Sequence, residues 1–147
     1  MIYMSSVHII QELAWQKFED AEHLFNKERF DSAFYIAGYT IELLLKAKIC
    51  TTIGMEDFFH FDGSPKLLSK EAYRPFKVHD FSQLMVLSGI YKSFKKNALI
   101  DEEFKDHWTI INDWSEDCRY FEGRKGEDVK KFLTSVKFIA TWIEKQL

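Results

Sequence analysis

Tyr35, Gly38, Glu42 and Lys46 stand three, four and four residues apart inside FDSAFYIAGYTIELLLKAKIC, residues 30–50. If that stretch is helical, the four lie on one face. The surrounding positions are apolar on nearly every side, so the helix belongs at the centre of a bundle. There a carboxylate and an ammonium must find partners or water. Two further groups could act with them. Arg119 and Tyr120 lie in WSEDCRYFEG, residues 114–123, and His79 precedes Asp80 at the expected start of a helix. An arginine can fork two hydrogen bonds to an anion, and an imidazole can carry a proton near neutral pH. Basic residues cluster at Lys66, Lys70, Arg74 and Lys77, at Lys92, Lys95 and Lys96, and at Arg119, Arg124, Lys125, Lys130 and Lys131. A local anion site is one reading of these clusters, and solvated helix surface is the other.

The elements that must position these groups follow from apolar spacing. Ile10, Leu13, Ala14, Phe18, Ala21, Leu24 and Phe25 predict an amphipathic helix over 5–27, with Ser5 and Ser6 as possible caps. The central helix, over 30–52, follows after a connection short enough to force an antiparallel hairpin. Gly38 costs about 1 kcal/mol relative to alanine in a helix, which points to a close approach at that position. Over 53–79 the periodicity fades around Gly54, Gly63, Pro65 and Pro75, leaving a long loop with one helical turn near 67–72. Asp80 and Gln83 resemble a capping box for a third helix that ends near Lys96 and Asn97. A fourth starts at 101–103 and presents Phe104, Trp108, Ile111 and Trp114. Residues 115–125 interrupt the pattern. A last helix follows Gly126, with Val129, Phe132, Leu133, Val136, Ile139, Ala140 and Ile143 on its apolar face.

These elements predict one all-α domain over 1–147, a bundle of four to five main helices with a long loop between the second and third. Six Gly and two Pro are few for a strand-rich chain of this length. The 14 Phe, six Tyr and four Trp are more aromatic surface than a small bundle readily hides, so some of it could serve a subunit interface.

Net charge is -3, which argues against coating nucleic acid by charge alone. Residues 1–65 hold five Lys or Arg against ten Asp or Glu, while 66–147 are slightly basic. Cys50 and Cys118 form no CxxC pair, and no signal segment or 18-residue apolar run is visible, so a reduced, cytoplasmic protein that does not span a membrane is expected. His8, His23, His60, His79 and His107 show no ligand spacing, and no Gly-rich phosphate loop, nucleophile elbow or dinucleotide fingerprint is present. Neither a metal nor a cofactor is expected.

AFYIAGYTIELLLKAK, then VHDFSQL, then WSEDCRYFEG, followed by an amphipathic helix, occur in the order typical of HEPN (higher eukaryotes and prokaryotes nucleotide-binding) domains, which the chain resembles over most of its length. That resemblance implies a helical bundle that commonly forms a homodimer. It also implies work beside a minimal nucleotidyltransferase or in toxin-antitoxin and defence systems, with nucleotide or RNA as ligand. Many such domains are metal-independent ribonucleases with an Arg followed four to six residues later by His, near the start of the last conserved helix. Arg119 occupies the matching neighbourhood here, but Gly123, Arg124 and Lys125 stand where the His belongs. The imidazole that would move the proton is missing from its place. Arg74 and His79 have the right spacing, but they lie in the loop before the third helix and enclose Pro75.

Two readings of the site follow. In the structural one, Glu42 forms an internal ion pair with Arg119 or Lys46, which fixes the central helix against residues 114–120. In the functional one, Tyr39, Glu42, Lys46, His79, Arg119 and Tyr120 converge on a pocket for a nucleotide or RNA phosphate, with Tyr39 or Tyr120 facing a base. The expected protein is a non-catalytic or weakly catalytic HEPN-like domain that binds nucleotide, RNA or a partner protein. Its alternatives are a divergent ribonuclease using Arg119 with Tyr120, Glu122 or His79, and a purely structural interaction subunit.

Overall fold

A computed structural model describes residues 6–59 and 68–147 of the chain. Ser5, His60, Lys66 and the start of the expected turn near 67 lie outside the described residues. The fold is all-α. Its elements are α1 (Ser6–Asn26), α2 (Phe30–Ile53), the single turn α3 (Lys70–Tyr73), α4 (Phe81–Leu87), α5 (Tyr91–Ile100), α6 (Glu102–Ile111) and α7 (Gly126–Glu144), with 3₁₀ turns at Arg74–Phe76 and Glu116–Tyr120.

α2 is the centre of the molecule. It packs against α1, α4, α7 and the Glu116–Tyr120 turn, and it buries residues on all sides, from Ala33 and Ala37 to Ile41, Leu44, Leu45 and Ile49. Each fully buried Leu or Ile stabilises the fold by roughly 1.5–3 kcal/mol. The α1–α2 hairpin turns within three residues, and Glu28 takes a left-handed φ of 58° to reverse the chain. α2 ends at Gly54, whose φ of 75° lets its N–H bond back to the carbonyls of Cys50 and Thr51. On the far side, the apolar face of α7 seals the core with Val129, Phe132, Val136, Ile139 and Ile143, and Phe132 packs its ring 4.1 Å from that of Phe34. The Trp15 indole N–H donates to Glu144, tying α1 to the end of α7.

The expected third helix is two helices. Gly89, at φ 82°, ends the chain's run in α4, and Ile90 starts α5, so among the described residues seven α-helices, one of them the single turn α3, stand where four to five main helices were expected. The cap at Asp80 also differs from the expected box. Asp80 Oδ1 accepts the Gln83 N–H at 2.7 Å, but the Gln83 amide does not return to the cap and instead donates to the Pro75 carbonyl at 2.9 Å. α4 is thereby tied to the 3₁₀ turn before it, which sets His79 in a fixed position between them. α6 ends three residues before Trp114, so this tryptophan lies beyond the helix and buries its ring against α2 and α4.

No helix among the described residues is long and apolar enough to cross a membrane.

Candidate functional site

Trp114 organises the site before any charged group does. Its indole is 5% exposed, stacks on Phe81 with ring centres 5.1 Å apart and planes 4° from parallel, and donates Nε1–H to the Tyr35 carbonyl at 3.1 Å. Gly38 makes room for it, because a Cβ there would sit 2.0 Å from the indole. The close approach expected at Gly38 is therefore to a side chain. With Trp114 locked, the Glu116–Tyr120 turn is carried across the polar line of α2.

Glu42 is the innermost ionisable group on that line, with its side chain 4% exposed. Its Oε1 accepts a hydrogen bond from Lys46 Nζ at 2.7 Å and lies 2.8 Å from His79 Nδ1. Oε2 is buried and has no hydrogen-bond partner among the described residues. The other ring nitrogen of His79, Nε2, lies 3.0 Å from Glu116 Oε2. One imidazole thus bridges two carboxylates, one from α2 and one from the 3₁₀ turn. As imidazolium it donates to both, and as neutral imidazole to one. Glu116 Oε1 in turn receives the Tyr39 hydroxyl at 3.5 Å and faces the Arg119 guanidinium at 3.8 Å. The Tyr35 and Tyr39 hydroxyls share a further hydrogen bond of 2.8 Å.

Of the six residues expected to converge, Tyr39, Glu42, Lys46 and His79 meet in this network. Arg119 reaches the network at its edge, through Glu116 and the Tyr35 hydroxyl, and makes no ion pair with Glu42; Lys46, the other partner expected for that carboxylate, and His79 fill that role. Tyr120 stands outside, 72% exposed, with the Arg119 guanidinium 4.8 Å above its ring. Glu116 is the member that sequence reasoning missed. It is 37 residues from His79 and 77 from Tyr39, and the only sign of it was the broken periodicity over 115–125.

The electrostatics fix which groups can move protons. Burial first, then the Tyr35 hydrogen bond and the charges of Glu116 and Glu42, push the Tyr39 phenol far above its ordinary range, so it is a hydroxyl donor and never a base. The Tyr120 and Tyr35 hydroxyls, followed by the Glu116 carboxylate, hold the Arg119 guanidinium above its already high value, so it is permanently charged. Among the described residues no group of three or more His, Cys, Asp or Glu is placed to hold a metal ion.

Beyond the network the chain runs out in an extended ledge. Phe121 is 59% exposed, and the Asp31 carboxylate pins the segment by accepting the N–H groups of Gly123 at 2.9 Å and Arg124 at 3.0 Å. The Arg124 guanidinium lies 4.0 Å over the Phe34 ring. Across 116–128 the carboxylates of Glu116, Asp117, Glu122, Glu127 and Asp128 outnumber the cations Arg119, Arg124 and Lys125.

The fold and site define an all-helical protein with a carboxylate–imidazole–carboxylate tie between its central helix and a surface turn. No family model matches the chain, and neither the curated proteins nor the solved structures give a match.

Proposed function

We propose that the chain is a HEPN-like interaction domain without conventional HEPN ribonuclease chemistry, docking a partner protein on the ledge of Arg119, Tyr120 and Phe121. The observation that carries this reading is the double engagement of His79. Both ring nitrogens face carboxylates, at 2.8 Å and 3.0 Å, so neither is directed at a substrate proton as a general acid or base requires. The network then serves to hold the Glu116–Tyr120 turn rigid, and the turn presents its exposed aromatic pair. Exposed Tyr and Phe beside Arg are the residue types that anchor protein interfaces. The HEPN resemblance supplies the class of partner, a minimal nucleotidyltransferase.

Two measurements test this. Labelled single-stranded RNA incubated with the purified chain should show no cleavage that disappears in Arg119→Ala. Tagged wild-type chain should retain a nucleotidyltransferase-type protein from its native cells, and Tyr120→Ser with Phe121→Ser should lose it while melting like wild type.

One observation favours a second reading. Glu116 touches both His79 and Arg119, so an imidazole and a phosphate-binding cation share one anchor. RNA cleavage in the presence of a chelator, abolished by both Arg119→Ala and His79→Gln, would make the protein a divergent metal-independent ribonuclease.

A further inference from the structure

His79 holds the Glu116–Tyr120 turn with a ring that can carry one proton or two. Glu42, Lys46 and the Tyr39 phenol face this site from α2, and Glu116 and Arg119 face it from the turn. In the ring's own segment, Lys77 lies over the Tyr73 ring and Asp80 is committed to the Gln83 N–H. The His79 side chain is 41% exposed, so protons reach it without any rearrangement. The turn has few bonds of its own. Ser115 gives it no side-chain cap, and its ends close with the Cys118 N–H on the Ser115 carbonyl at 3.0 Å and the Phe121 N–H on the Cys118 carbonyl at 3.1 Å. Trp114 and the buried Cys118 anchor its inner side, and His79 fixes its outer carboxylate.

We infer that His79 is a pH-operated clasp on this turn: as imidazolium it holds Glu116, and as neutral imidazole it releases it. The two carboxylates do not compete equally for the last ring proton. Glu42 is 4% exposed, has only Lys46 besides His79, and already leaves Oε2 unpartnered. Glu116 is 33% exposed and keeps water, the Tyr39 hydroxyl and the Arg119 guanidinium. An unpaired acceptor costs more when buried than when solvated, so the remaining proton stays on Nδ1 for Glu42. Nε2 then turns a lone pair toward Glu116 Oε2, 3.0 Å away, and two acceptors at that distance repel. The sign follows: the clasp is closed at low pH and opens as the ring loses its charge. Its consequence, which rests on the docking reading above, is that the Arg119–Tyr120–Phe121 ledge is ordered for its partner on the acid side and loosened on the alkaline side.

The test is made on the free full-length chain, so it stands or falls whatever docks on the ledge. NMR between about pH 5.5 and 9 follows the His79 ring, assigned by its absence from His79→Gln, together with hydrogen exchange of the Cys118 and Phe121 amides. Exchange is corrected for its intrinsic pH dependence and referred to Val136 and Ile139 of the buried α7 face. In wild type the relative protection of the turn should fall about fivefold, the net worth of one hydrogen bond, with the same midpoint as the ring. His79→Gln should show no such step and sit at the wild type's alkaline level. Glu116→Gln should also show no step but stay protected throughout, because a carboxamide accepts from imidazolium and donates to neutral imidazole. Protection that ignores the ring's titration, a midpoint a pH unit or more away from it, or the wild-type step persisting in either variant would overturn the inference.

Discussion

The indole of Trp114 lies so close to Gly38 that a single added carbon on the glycine would fall 2.0 Å from the ring. The ring has no room to retreat, since Phe81 stacks behind it and its N–H is committed to the Tyr35 carbonyl. Alanine would improve the intrinsic helix propensity of position 38 by about 1 kcal/mol. Overpacking opposes and exceeds that gain. Gly38→Ala should destabilise the protein by about 2–3 kcal/mol, a fall in melting temperature of roughly 8 °C. A thermal melt followed by circular dichroism measures it, and an unchanged or higher midpoint would contradict the packing described for Trp114.

Asp31 gives a pH dependence with a defined sign. Burial pushes its carboxyl upward, but the N–H groups of Arg124 and Gly123 and the Arg124 guanidinium outweigh burial and leave it below the ordinary value of 3.8. A depressed carboxyl contributes stability that is fully present above the unfolded value and is lost as pH falls through the folded one. Asp31→Asn should therefore cost about 1 kcal/mol at pH 7, given the partial solvent exposure of the pair. The difference from wild type should shrink as the pH drops from about 4 downward. Urea melts across that range decide it. A difference that grows toward acid would reverse the sign and refute the assignment.

Thiol chemistry offers a third check. Cys50 and Cys118 are free and buried, and burial pushes the Cys50 thiol up to about 11 and raises that of Cys118. Thiolates are the reactive species, so neither residue should react with a disulfide reagent at pH 8 in the native protein. Both should react on addition of denaturant. Rapid modification of one thiol under native conditions would place that cysteine in a more open environment.

The sequence revealed the long elements and concealed the joints. α1, α2 and α7 carry enough regularly spaced apolar residues to be read as helices, with the end of α1, both ends of α2 and the start of α7 placed within a residue or two. The break between α4 and α5 was hidden because Phe81, Leu84, Met85, Ser88 and Tyr91 keep a helical spacing across Gly89, although that glycine takes φ 82°. For the site, the line of Tyr35, Gly38, Glu42 and Lys46 was visible because helical spacing is local information. Glu116 was not, because its partners His79 and Tyr39 are brought to it only by Trp114 and by the cap at Asp80. Arg119, the more conspicuous residue in that turn, was one of two partners expected for Glu42, and the other, Lys46, takes that place. Between Arg119 and Glu42 the geometry places a carboxylate and an imidazole.

His79 ties Glu42 to Glu116 with one imidazole. The most direct test of that tie is a double-mutant cycle by urea denaturation on wild type, Glu42→Gln, His79→Gln and the pair. Each single change should destabilise by about 1–2 kcal/mol, because it leaves a buried or half-buried partner uncompensated. The pair should cost clearly less than the sum, with a coupling of about 1 kcal/mol. Additive effects, or a His79→Gln protein as stable as wild type, would show that the imidazole does not hold the turn and would contradict the account.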